Sequence, residues 1–107
     1  MLIATRSLGL RADGKTISFE VRVFAPEKKT TDWSCRVEVD WPDGMTSMEV
    51  GGIDSVQALT LALQAVGAQI YTSDHHAKGR LFWRDRGKGY GFPVPNTIKD
   101  MLIGDDR

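Results

Sequence analysis

The sequence predicts a single α+β domain over residues 1–107. Its expected form is an antiparallel sheet of about five or six strands with one long helix packed on one face, in the order ββββαββ plus a short C-terminal helix. Three observations carry that expectation. Asp13-Gly14 and Asp43-Gly44 each separate two runs of alternating apolar residues, the mark of hairpins with two-residue turns. Only Gly51–Tyr71 repeats its apolar residues at intervals of three and four, so one long helix is expected. No strand is followed by a glycine-rich turn with phosphate-binding or dinucleotide-binding spacing, and nothing calls for a parallel crossover.

Residues 2–12 and 15–25 form the first hairpin, which sets Leu10 opposite Ile17, Leu8 opposite Phe19 and Ala4 opposite Val23 on one face. Arg6 opposite Val21 is the one interruption. Pro26–Asp32 is polar and reads as an exposed loop. Trp33, Cys35, Val37, Val39 and Trp41 then alternate with Ser34, Arg36, Glu38 and Asp40, as in a strand with one wet face. A turn at Asp43-Gly44 places Val39 opposite Met48 and Val37 opposite Val50.

The helix buries Val56, Leu59, Ala62, Leu63, Val66 and Ile70 on one stripe. Asp54 caps its first turn, and Gln57 reaches back in the manner of a capping box. Gln57, Thr60, Gln64 and Ala68 make up the opposite face. No charged residue occurs between Asp54 and Asp74, although a wet helix face is ordinarily charged. That face is a candidate protein interface, covered by the C-terminal segment or by a second subunit. Beyond it, Thr72–Gly79 reads as a polar loop and Arg80–Phe92 as a third hairpin around Arg86-Gly87-Lys88. Pro93 and Pro95 stop the ladder. Asn96 or Thr97 opens a short helix with Ile98, Met101 and Leu102 on one face, ended by Gly104.

Apolar residues make up 41% of the chain and charged residues 26%, ordinary values for a globular protein. Lys plus Arg and Asp plus Glu balance at 14 each, so no overall charge draws the protein to nucleic acid or membranes. Without a signal-peptide core or a long apolar run, the expected location is the cytoplasm, with no membrane contact. Cys35 is the sole cysteine, which rules out an internal disulfide and a cysteine-based metal site. On the apolar side of its strand, Cys35 acts as a small hydrophobe. Asp74-His75-His76 is the only cluster of metal-ligand or acid-base type, and it lacks the further ligands a site needs. No catalytic, cofactor-binding or metal residue is expected.

Lys78, Arg80, Arg84, Arg86 and Lys88 against Asp85 give residues 78–92 a local charge of +4, and Phe82, Trp83, Tyr90 and Phe92 interleave with them. Cations tracking a backbone with rings for stacking are what single-stranded nucleic-acid binding uses. Arg80, Phe82, Arg84, Arg86, Lys88, Tyr90 and Phe92 are therefore the candidate surface for nucleic acid or another partner. Gly79, Trp83 and Lys88-Gly89-Tyr90-Gly91-Phe92 resemble the opening hairpin of cold-shock domains, where a tryptophan precedes a K-G-[FY]-G-F run. The resemblance implies that Trp83, Tyr90 and Phe92 stack on bases and that Lys88 meets a phosphate. It covers Gly79–Phe92 alone.

A second resemblance spans most of the chain. Trp33-Ser34-Cys35, the run Gly52-Ile53-Asp54-Ser55-Val56-Gln57-Ala58-Leu59, Ala62-Leu63, Trp83 and Gly91-Phe92-Pro93 are similar to a family of short bacterial proteins classed as a domain of unknown function. It implies a bacterial, cytoplasmic, stand-alone domain and brings no activity. The function expected is thus a non-enzymatic protein-interaction module of accessory or immunity type, paired with another protein or a second copy. The alternative is single-stranded nucleic-acid binding through residues 78–92.

Overall fold

A computed structural model describes residues 1–107. Strands β1 (Leu2–Ala12) and β2 (Lys15–Phe24) meet at Asp13 and Gly14, both at positive φ (53° and 72°), the conformation that a tight twisted hairpin turn requires. The register is the expected one, with Leu10 on Ile17, Leu8 on Phe19, Arg6 on Val21 and Ala4 on Val23.

The segment read as a loop contains a short strand, β3 (Glu27–Lys28), which pairs with the start of β4 (Trp33–Trp41). Lys29 N–H donates to the Asp32 carbonyl at 2.7 Å and closes the turn between them. Strand β5 (Gly44–Gly52) pairs with β4 two residues away from the expected register. Val39 faces Thr46 and Val37 faces Met48, while Val50 faces Cys35. The turn is Pro42-Asp43, because a proline with φ already fixed near −65° is pre-set for the second position of a turn. A shift of two leaves every side chain on its intended face, so the core does not change.

β5 occupies one side of β4 along its whole length, and β2 and β3 share the other. The order across the sheet is β5-β4-β2-β1-β6, where β6 (Leu81–Phe82) pairs with Gly9 and Leu10 of β1. One face is wet and knitted by charge, with Arg22 paired to Glu20, Glu38 and Asp40. The other carries the core.

Helix α1 (Ser55–Tyr71) lies on β4 and β5. Asp54 accepts from Gln57 N–H at 2.8 Å, and the Gln57 side chain accepts from Ile53 N–H at 2.7 Å, one residue earlier than the usual reciprocal cap. The buried row is Ala58, Ala62, Val66 and Ile70. The expected stripe is therefore rotated: Leu59 and Leu63 are only half-buried and Val56 is 70% exposed. The helix start crosses β5 so closely that a Cβ on Gly52 would lie 2.4 Å from the Ala58 nitrogen, and only a row opening with small alanines fits that approach.

The expected loop at 72–79 contains a one-turn helix, α2 (Asp74–Ala77), capped by Ser73. The third hairpin does not form as a ladder. Beyond β6 only the Trp83–Asp85 bridge remains, with Arg84 at φ 61° between them. The chain then coils through Gly91, whose φ of 76° takes it out of strand geometry. In place of a regular C-terminal helix there are 3-10 turns at Asn96–Met101, broken at Ile98, and at Gly104–Asp106.

Candidate interaction site

Of the residues expected to form a basic aromatic surface, Arg84, Arg86 and Lys88 are exposed, while Arg80 and Phe82 are half-buried. Arg86 donates to the Gly79 carbonyl at 3.1 Å, which ties the loop to its own base. The Phe82 ring lies against Gly9 so closely that a Cβ there would be 2.3 Å from it. Tyr90 and Phe92 are corrections: with 2% and 7% exposure they belong to the core and cannot stack on a base. They turn inward because the coil at 87–91 no longer alternates its side chains as a strand does.

What holds that coil in place lies far away in sequence. Arg6, the interruption in the first hairpin, donates to the carbonyls of Tyr90 at 3.1 Å and Gly91 at 3.0 Å, and its guanidinium stacks 3.9 Å from the Trp83 ring centroid. Burial draws the Arg6 pKa down, and the charge of Asp106 works against that. From the other side, the Asp106 carboxylate accepts the N–H groups of Tyr90 at 2.7 Å and Gly91 at 2.8 Å and the hydroxyl of Tyr71. Ile103 N–H also donates to the Tyr71 oxygen. Burial, and next the bond to Asp106, raises the pKa of the Tyr71 phenol. Burial, and next the charge of Asp106, pushes Tyr90 up to about 12. Both phenols keep their protons at neutral pH.

His76 Nδ1 is 2.5 Å from the Tyr90 hydroxyl, and its ring meets Tyr71 and Tyr90 edge-on. Burial lowers the His76 pKa, so the ring is neutral when it shares a hydrogen bond with the Tyr90 hydroxyl through Nδ1. His75 turns away to stack on Trp41, with Nε2 3.4 Å from an Asp43 oxygen. Of the two histidines, His76 is packed under the C-terminal coil and His75 against the β4–β5 turn, so they do not converge on one point. No three His, Cys, Asp or Glu side chains are grouped to hold a metal. Cys35 is fully buried, donates to the Phe24 carbonyl and has its pKa raised by burial. Asp106, Tyr71 and Arg6 escaped sequence reasoning. The one visible signal was Arg6, a lone cation on an apolar face.

On α1, the expected interface residues Gln57 and Thr60 are exposed, and Gln64 and Ala68 half-exposed. The C-terminal coil covers the neighbouring flank instead. A Cβ on Gly67 would fall 1.9 Å from the Pro93 carbonyl oxygen, so glycine alone lets the coil lie against the helix there. Ahead of that contact lies a groove of about 200 Å³ whose mainly apolar lining, Val21, Val23, Leu63 and Phe92 among it, also includes Thr5 and Arg6. Two turns back along the Leu63 stripe, Val56 is 70% exposed, and Ile53 just before the helix is 79% exposed.

A family model described as Domain of unknown function (DUF6968) matches residues 4–94. The chain belongs to the DUF6968 family. In this DUF6968 chain the matched span takes in the sheet, α1, Arg6 and the coil through Phe92, whereas Asp106 lies beyond it. No curated protein and no solved structure matches the chain. No helix of this DUF6968 chain is long and apolar enough to cross a membrane.

Proposed function

We propose that this DUF6968 chain is a cytoplasmic, non-enzymatic bacterial module of accessory or immunity type whose ligand is another protein. The observation that carries the reading is the exposure of Ile53 and Val56 on the stripe leading to the apolar groove at Leu63. Branched apolar side chains in water beside an apolar groove are what a protein partner covers, and such contiguous patches mark interaction sites on soluble domains. The uncharged residues Gln57, Thr60 and Gln64 border that stripe and suit the rim of an interface. Nucleic-acid binding retains Arg84, Arg86 and Lys88 as exposed cations but is left without Tyr90 and Phe92, which lie in the core.

Affinity capture from bacterial lysate with the unaltered chain, Val56→Asp and Lys88→Ala, assayed for protein and for nucleic acid, tests the reading. The expected result is a stoichiometric protein partner held by the unaltered chain and by Lys88→Ala, and released by Val56→Asp with its melting temperature unchanged. Nucleic acid captured at low salt and weakened by Lys88→Ala would reverse the choice, since removing a cation that meets a phosphate lowers both the affinity and its salt dependence.

A further inference from the structure

The long hairpin β4–β5 leaves its second strand at the edge of the sheet. β5 runs nine residues and pairs with β4 alone, without a register break. A two-residue turn makes its flanking pair, Trp41 and Gly44, a hydrogen-bonded one. Alternation from there leaves Met45, Ser47, Glu49 and Gly51 with their N–H and C=O groups pointing away from β4. No backbone or side-chain hydrogen bond reaches those groups from elsewhere in the molecule. Edge strands are ordinarily blunted by lysine, proline, a bulge or a covering segment. β5 has none of these, and Glu49 is its only charge.

From these features we infer that β5 pairs with β5 of a second copy, antiparallel about a two-fold axis, joining two sheets into one. The self-pairing has few registers. Outward-pointing residues must meet outward-pointing residues, and a centre on Glu49 sets two carboxylates directly opposite each other, which is unfavourable. A centre on Met48 pairs all nine residues. It places Glu49 opposite Ser47, Met45 opposite Gly51 and Thr46 opposite Val50, with Arg36 of β4 beside each Glu49. The surface is then self-complementary, as a two-fold interface requires.

The helix fits the same arrangement. Gln69 donates to Thr46 of β5, so the flank of α1 carrying Leu61, Ala65 and Thr72 is the one on the side of the free edge. With α1 above β4 and β5, the two-fold brings the two helices to about 10 Å, two strand spacings and an ordinary helix-packing distance. Leu61 is 38% exposed, and neither Ala65 nor Thr72 adds charge or bulk. The absence of charge along this helix thereby acquires a use that the partner-binding stripe at Val56, on the opposite flank, does not supply.

The sedimentation mass of the purified chain tests the pairing, and twice the 11.9 kDa protomer is expected. Ser47→Pro removes only an N–H that points away from β4, and should give folded protomers. Leu61→Lys reaches the same end through the helix flank and leaves the strand intact, so it decides the matter should Ser47→Pro fail to fold. In a Cys35→Ala background, Met48→Cys should oxidise to a covalent dimer, because residues facing each other across a non-hydrogen-bonded pair stand within disulfide range. Ser18→Cys, on the wet face, should not. A monomeric unaltered chain, or a dimer that persists in Leu61→Lys, overturns the inference whatever the fate of partner capture.

Discussion

At His76 the ring nitrogen Nδ1 faces the Tyr90 hydroxyl, and burial lowers the imidazole pKa below its ordinary 6.5. The unfolded chain therefore takes up a proton that the folded chain resists. Stability is full above pH 6.5, falls as the pH drops through 6.5, and stops falling once the pH is below the folded-state value. His76→Asn, which keeps a hydrogen-bonding group near the Nδ1 position, should flatten this fall in denaturant melts taken on either side of pH 6.5. A slope that survives the substitution would assign the titration to another group. At this scale the legible residues were those whose partners are near in sequence. Asp54 and Gln57 announce a helix start because capping spans three residues. Arg6 stood out as an interruption, but its partners lie 84 and 85 positions on. The helix holding His75 and His76 has four residues, too few to show a period.

Helix α1 shows how an element can be right in extent and wrong in rotation. Apolar spacing identifies a wide stripe, yet its centre depends on which residues allow the closest approach, and Ala58 and Ala62 contribute little hydropathy while sitting at that centre. Ile70→Ala should cost about 2–5 kcal/mol, because it empties fully buried space against the sheet. Val56→Ala, on the exposed flank, should stay within about 0.5 kcal/mol. Equal losses in urea melts would mean that the expected stripe is the buried one after all. The β4–β5 register was hidden for a different reason. Pro42-Asp43 and Asp43-Gly44 are both good turn dipeptides, and the shift of two between them leaves the apolar alternation untouched. At the third expected hairpin, Leu81 and Phe82 obey the pattern and pair, whereas the glycines that follow make a coil whose path is set by Arg6 and Asp106.

The whole molecule is closed by contacts between the beginning of β1 and the coil at 88–106, and these were beyond the reach of local patterns. Asp106→Ala removes the acceptor of two amides and of the Tyr71 hydroxyl, and should cost about 1–3 kcal/mol. Hydrogen exchange should quicken at Tyr90 and Gly91 and in the coil around them, while the β4–β5 ladder stays protected. Uniform quickening along the chain would show that the closure is not a separable unit. The same closure orders events during synthesis. Both long hairpins are complete once residue 52 has emerged, but the outer side of β1 receives β6 only after Leu81 and Phe82 leave the ribosome. At roughly 5–20 residues per second, β1 waits several seconds for that neighbour. A nascent chain paused short of residue 81 leaves the Gly9–Leu10 stretch of β1 as open strand edge, the kind of backbone that chaperones shield.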